Sequence, residues 1–336
     1  MKSFGSDNHS GVHPAVLTAI QEANTGHQPA YGADSVTEEA RRLFRQTFGP
    51  DAEVFFVFTG TAANTLALRA LCRPFEAVVA TSAAHLNEDE CGAPEYVAGN
   101  KILAFPPVEG KLSLDVIDRL RINPHDPHRV VPRLVTLTQA TELGTVYSLD
   151  ELRAITERAH ARGLLVHMDG ARLANAAVHL GCELADVTTA VGIDALSFGG
   201  TKNGLLCAEA LVFLKPDLAP SFAFIRKQSM QLASKMRYLS CQFLPYLQDQ
   251  LWKKNAGQAN AMALYLRERL SQLPGCEIPY PTQANEVFAV LPPPIAKIMQ
   301  EKARAYAWDG DLHRFVTSFD TMKEDVDALF VGSGTP

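Results

Sequence analysis

No CxxC pair, no apolar run of membrane-spanning length, no basic stripe and no glycine-rich nucleotide loop occurs in this 336-residue chain. Each absence removes a class. The six cysteines (Cys72, Cys91, Cys182, Cys207, Cys241, Cys276) are scattered without metal-like spacing, so neither a metal centre nor a disulfide framework is expected; they read as reduced thiols. The longest apolar runs, such as "EVFFVF" and "RLVTLT", are strand-sized, far short of the roughly 20 residues that cross a bilayer. "MKSFGSDNHSG" carries no apolar h-region, so no signal peptide is expected and the chain reads as cytoplasmic. With 31 basic against 37 acidic residues interspersed, net −6, neither nucleic acid nor an anionic membrane is the expected partner. No Gly-Lys-Ser/Thr closes a Walker loop and no GxGxxG follows a first strand. A nucleotide hydrolase and a nicotinamide-type oxidoreductase are thereby disfavoured.

What is present is apolar content, 47% of residues, and alternation. "TEEARRLFRQTF" (37–48) reads as an amphipathic helix, "EVFFVF" (53–58) as a buried strand and "GTAANTLALRAL" (60–71) as the helix after it. "EAVVA" (76–80), "RLVTLT" (133–138), "LLVHMD" (164–169) and "DALSF" (194–198) read as further strands. A Ser-capped helix with a terminal Gly, "SLDELRAITERAHARG" (148–163), sits among them. The pattern predicts an α/β fold with a mainly parallel sheet covered on both faces and a ligand beyond the carboxyl ends of its strands. Gln248–Lys254 is the first stretch that resembles a linker. A long helix (255–273), "NEVFAVLP", another helix and the strand "LHRFVTSF" (312–319) then suggest a smaller α+β unit. A large domain over 1–250 and a small one over 251–336 are expected.

"SFGGTKNGLL" (197–206) places one lysine, Lys202, in a glycine-rich turn at a strand end. Burying an ammonium ion is costly unless it is paired or neutralised. A capping lysine is one reading. "HMDGARLANA" ends the preceding strand with Asp169, followed by Arg172; an internal ion pair between them is the plain alternative. Gly60 and Thr61 lie where a strand gives way to a helix, and free N–H groups there favour an anion, although an ordinary helix start reads the same. Together the three features suit pyridoxal 5′-phosphate, which needs a Schiff-base lysine, an acid at the pyridine nitrogen and a phosphate anchor. Desolvation would also lower the lysine pKa and free the amine.

The chain also resembles the low-specificity L-threonine aldolases, or phenylserine aldolases, of the β-eliminating lyase group of fold type I pyridoxal enzymes. The resemblance runs through "SDNHSG", "AYGADSVTEEA", "FTGTAANTLAL", "AHLNEDECGAPE", "QATELGTVYSLDEL", "HMDGARLANA", "SFGGTKNG", "QLASKMRYLS" and "RFVTSFDT". It implies an aspartate aminotransferase-type fold and a homo-oligomer, dimer or tetramer, with shared active sites. It also implies retro-aldol cleavage of L-threonine, L-allo-threonine and related β-hydroxy amino acids to glycine and an aldehyde.

By the same resemblance Lys202 carries the cofactor, Asp169 pairs with its pyridinium and Gly60 and Thr61 hold its phosphate. Arg237 reaches that phosphate from the neighbouring subunit, where Lys235 reads either as a helper or as a solvated helix residue. His85 stacks on the ring; Ser6, Arg172 and Arg314 bind the substrate carboxylate; Tyr31 lies near the site or serves in packing. His85 and His128 are the candidate bases for the β-hydroxyl, with His125 close to the latter in sequence, and Asp89 falls where it could feel the β-substituent. The same cradle would serve a β-eliminating lyase, a hydroxymethyltransferase-like activity or a non-catalytic pyridoxal-phosphate binder.

Overall fold

The computed structural model describes residues 2–218 and 220–331. Seven strands build the main sheet: β1 (Glu53–Val57), β2 (Glu76–Thr81), β3 (Lys101–Phe105), β4 (Val131–Thr138), β5 (Leu165–Gly170), β6 (Ala195–Gly199) and β7 (Glu209–Phe213). They lie in the order β1-β7-β6-β5-β4-β2-β3. The block β3-β2-β4-β5-β6 is parallel throughout, whereas β7 runs antiparallel to both β6 and β1. The mainly parallel sheet is as expected from the alternation; β3 and β7 were not. A parallel partner for β6 would need a crossover of about a dozen residues, and the short turn carrying Lys202 leaves no room for one. The chain therefore doubles back, and the first residue of β7 returns to the edge where β1 and β6 end.

Local sequence explains the helices that pack on this sheet. Gly60–Leu71 begins at Thr59, whose hydroxyl accepts from Ala62 N at 3.1 Å, a polar N-cap of the usual kind. Leu149–Ala161 carries a full capping box, with Ser148 and Glu151 each satisfying the other's backbone N–H. Ser35–Phe48 is capped by Asp34 and buries Leu43, Phe44 and Phe48 on one face. Phe44 meets Phe56, Phe198 and Phe243 edge-on at 5.1–5.8 Å, a geometry aromatic rings favour. This cluster lies directly behind β6.

The stretch expected as a linker is largely helical: Leu251–Ser271 is one continuous helix. Its first turns, through Ala256, pack in the core of the main sheet. Ala263, Leu266 and Leu270 pack in a second core with Val287, Ala289 and Phe315. That core lines a separate antiparallel sheet, β8 (Glu286–Val290), β10 (Leu312–Val316) and β9 (Tyr306–Asp309), ordered β8-β10-β9. We propose the division into two domains near residue 250 on the strength of these two cores. The N-terminal segment crosses that division, since Phe4 is buried in the second core and its carbonyl accepts from Val316 N at 2.7 Å.

Gly199 illustrates how tightly the β6 end is built. A Cβ there would stand 2.5 Å from the Ala171 carbonyl oxygen and 2.7 Å from its Cα, backbone atoms that cannot swing aside. Gly199→Ala is expected to destabilise the protein by about 2–3 kcal/mol through overpacking. A thermal melt indistinguishable from wild type would show that the β5 and β6 ends tolerate separation.

Candidate active site

Strands β1, β2, β4, β5 and β6 all end at one edge, where open α/β sheets place their ligands. A cleft of about 630 Å³ lies there. It is lined by Ser6, Gly60, Thr61, His85, Asp89, Asp169, Arg172, Lys202 and Arg314 among the residues anticipated from the sequence. Four strand ends, the N-terminal segment and β10 contribute to that group.

Lys202 occupies a single turn, Thr201–Asn203. The turn is pinned from behind: Asn203 Nδ2 donates to Tyr246 Oη at 2.8 Å and to the Trp252 carbonyl at 3.0 Å, and Asn255 Nδ2 donates to the Asn203 carbonyl at 2.9 Å. In front, the Glu209 carboxylate accepts from the N–H groups of Gly200 and Thr201, each at 3.2 Å; burial pushes this carboxyl up to about 6. Among the described residues Lys202 itself makes no hydrogen bond or ion pair, although it is half-buried in the cleft wall. Neither capping nor ion pairing explains it.

Asp169 is buried at the end of β5, in register with Thr138 of β4 and Ser197 of β6. Its Oδ1 accepts from Ala171 N at 2.9 Å and its Oδ2 from Asn64 Nδ2 at 2.8 Å. The expected alternative, an ion pair with Arg172, is not what forms. Arg172 instead makes a two-pronged bridge to Asp7, Nε to Oδ2 at 2.8 Å and Nη2 to Oδ1 at 3.0 Å. Asn285 Nδ2 supports the same carboxylate at 3.0 Å. Burial works against the Asp7 charge, yet the Arg172 guanidinium and the Lys202 ammonium hold its pKa below the ordinary value. Glu286 sits between Arg172 and Arg314, its Oε1 3.5 Å from a terminal nitrogen of each. The Arg314 guanidinium lies over Trp308 at 4.6 Å and Tyr306 at 5.1 Å and donates to Tyr306 Oη. Its Nε is buried without a partner among the described residues, a donor available to an incoming anion.

At the other wall His85 Nδ1 lies 2.9 Å from Glu90 Oε1. The His85 backbone N–H donates to Glu142 Oε1 at 2.9 Å, and Thr138 Oγ1 donates to the same atom at 2.7 Å. Burial pushes the Glu142 carboxyl up to about 7, and its Oε2 is sealed from solvent with no partner among the described residues. At the start of Gly60–Leu71 the Thr59 cap satisfies Ala62, while no acceptor among the described residues takes the N–H groups of Gly60 and Thr61. Space around Gly60 is open, with no atom within 4 Å of where a Cβ would stand.

Five residues named from the sequence lie elsewhere. His128 and His125 are exposed in the turn after Asn123; their backbone N–H groups donate to Asp126 and Asn123 side chains. Tyr31 is 51% exposed with the Lys227 ammonium 4.8 Å from its ring centre. Arg237 stacks on Tyr238 at 5.2 Å, close to the exposed Lys235. Tyr31 N donates to the Ser234 carbonyl at 2.9 Å, so Tyr31, Lys235 and Arg237 share one surface region away from this cleft. Conversely, Asn64, Glu142, Glu209, Tyr306 and Trp308 line the cleft and were not anticipated.

Comparison with known proteins agrees with this geometry. The β-eliminating lyase family model matches residues 3–292. A low specificity L-threonine aldolase of Pseudomonas aeruginosa is 45% identical over 331 residues, covering 98% of this chain and 96% of its own. One from a Pseudomonas species is 44% identical over the same shares. Among solved structures, a threonine aldolase of Leishmania major superposes with a TM-score of 0.90 at 31% identity, covering 98% of both chains. A likeness in fold alone extends to a putative L-allo-threonine aldolase of Listeria monocytogenes, TM-score 0.73 at 19% identity over 98% of this chain and 94% of that one. On these likenesses the chain belongs to the β-eliminating lyase family, among the relatives of the low-specificity L-threonine aldolases.

Proposed function

We propose that this protein is a pyridoxal 5′-phosphate-dependent aldolase. It cleaves L-threonine, L-allo-threonine and related L-β-hydroxy-α-amino acids, phenylserine among them, to glycine and an aldehyde. The observation that carries the reading is Lys202, an amine with no partner among the described residues, in a fixed turn that lines the same cleft as the carboxylate of Asp169.

The residues fit the cofactor. Lys202 has an amine with no competing partner, Gly60 and Thr61 offer free N–H groups at a helix start with open space before them, and Asp169 makes no ion pair among the described residues. Lys202 would hold the group covalently, Asp169 would keep its ring nitrogen protonated, and Gly60 and Thr61 would take its phosphate. Bound there, the cofactor supplies an electron sink for the Cα–Cβ bond.

The chain's own side chains do the rest. Arg172 and Arg314, with Ser6, bind the substrate carboxylate and fix the orientation of Cα; two guanidinium groups suit a carboxylate. Asp7 and Glu286 hold the two guanidinium groups in place beforehand. His85, half-exposed in the cleft and bonded to Glu90, accepts the β-hydroxyl proton as the aldehyde leaves. His128 lies outside the cleft of its own chain, so His85 takes this role within one subunit. Asp89, at the same wall, faces the β-substituent.

Arg237 and Tyr31 are proposed to complete the cleft of a neighbouring copy in a homo-oligomer. Their shared surface region and the buried, unpartnered Nε of Arg237 support this. A cytoplasmic location is proposed with it: all six cysteines are free, and among the described residues no helix is long and apolar enough to cross a membrane.

Product analysis with L-threonine tests the function. Glycine and acetaldehyde in equal amounts are expected; ammonia with 2-oxobutyrate would instead identify a β-eliminating lyase.

A further inference from the structure

His85 does not stand alone in the cleft wall. Its Nδ1 is 2.9 Å from Glu90 Oε1, and Asn64 Nδ2 donates to that same oxygen at 2.9 Å. The second hydrogen of Asn64 Nδ2 goes to Asp169 Oδ2 at 2.8 Å. The Glu90 side chain is 0% exposed while that of His85 is 38% exposed. The amide orientation of Asn64 follows from its neighbours, because the reversed amide would set its carbonyl oxygen against two carboxylate oxygens. An acceptor at Glu90 likewise fixes the tautomer of neutral His85, with hydrogen on Nδ1 and a lone pair on Nε2.

We propose that Glu90 and Asn64 are positioning residues: Glu90 holds His85 with Nε2 free to receive a proton from the cleft, and Asn64 couples that histidine to Asp169. The inference rests on the functional reading above and extends it to two residues that touch neither the substrate carboxylate nor Lys202. A proton taken at Nε2 leaves an imidazolium whose charge Glu90 balances. Without Glu90 the ring could turn or adopt the other tautomer and present an N–H where an acceptor is needed.

Several groups face His85. Asn64 comes from the helix Gly60–Leu71, Asp169 from the end of β5, Lys202 from the turn after β6, and Glu142 from the segment after β4. Asp89 and Glu90 belong to its own segment. The hydrogen bond to Glu90 raises the His85 imidazole above its ordinary value; burial opposes this, Asp169 adds to it and Lys202 subtracts. Removing the Glu90 charge therefore lowers the imidazole, whereas removing Asn64, which competes for the same oxygen, leaves Glu90 a stronger acceptor and raises it. The two variants should move His85 in opposite directions.

The experiment uses the cofactor-loaded enzyme and two readouts: the pH profile of kcat/KM for threonine cleavage, and an NMR titration of the His85 imidazole, assigned by its loss in His85→Asn. For Glu90→Gln, which keeps the shape and one acceptor oxygen, both midpoints are expected to fall by about one pH unit, a tenfold change in proton affinity. For Asn64→Ala both are expected to rise by a smaller amount. A variant that merely fails to fold lowers activity at every pH without moving a midpoint. Unmoved midpoints in Glu90→Gln, or shifts of the same sign in both variants, would overturn the proposal. If the wild type yields no glycine from threonine, the aldolase reading fails separately, and the NMR titration alone then decides the coupling.

Discussion

Lys202→Ala is expected to leave the fold intact and abolish turnover, lowering kcat by roughly 10⁴-fold or more, as loss of a covalent catalyst does. The two halves of that expectation have separate origins. Stability is spared because the ammonium has no hydrogen bond or ion pair to lose among the described residues. The turn around it is held instead by Asn203, Asn255 and Glu209. Activity is lost because no other amine among the residues lining the cleft could take its place. Visible absorption of the purified protein, borohydride trapping with peptide mapping, and thermal melts check this together. A variant retaining the trapped adduct, or a tenth of wild-type turnover, would remove Lys202 from the centre of the mechanism.

The second large effect belongs to Arg172→Ala, which acts on binding and on stability at once. The substrate loses one of its two guanidinium groups, so KM for threonine should rise by about two orders of magnitude, the usual cost of about 3 kcal/mol for a charged hydrogen-bonded contact. Asp7 is left buried with Asn285 and the Lys202 charge as its remaining support, and breaking a buried pair in this way costs about 3–5 kcal/mol. The pH dependence follows from the sign of the Asp7 shift. In the wild type its carboxyl lies below the ordinary value, so the bridge stabilises the fold above the unfolded-state value near 3.8 and is lost as pH falls through the folded one. In the variant the stranded carboxyl is relieved by protonation. The gap between the two melting temperatures should accordingly narrow as the solution is acidified. A constant gap from pH 8 to pH 4 would show that Asp7 does not depend on Arg172, and an unchanged KM that Arg172 does not meet the substrate.

The sequence is most legible where chemistry and local structure coincide. Lys202, Asp169 and the helix start at Gly60 each lie at or within a few residues of the end of a buried strand, and residues at strand ends in an α/β sheet converge whatever the loops do. It is least legible where partners come from far along the chain. Asp7 and Arg172 are 165 positions apart and Asp7 and Asn285 are 278 apart; no periodicity joins them. Asn64 and Glu90 read individually as a helix residue and one acid in an acidic run. β7 was missed for a different reason: "EALVF" is wholly apolar in character once Glu209 is buried, and its antiparallel direction depends on the shortness of the Lys202 turn. Tyr306 and Trp308 belong to a four-residue edge strand, too brief to carry a pattern. Tyr31, Arg237 and His128 were named by resemblance alone, and the fold of one chain sets them outside its own cleft.

The corner proposed to bind the substrate carboxylate draws on residues 6 and 7, Arg172, Glu286 and Arg314, that is, on nearly the full span of the polypeptide. Assembly must then be almost finished before the corner exists at all, since long loops close late. Fragment complementation, domain exchange with a relative, or rearranging the order of segments would each have to carry all of these positions together. A directed-evolution library confined to one module would leave that corner half old and half new.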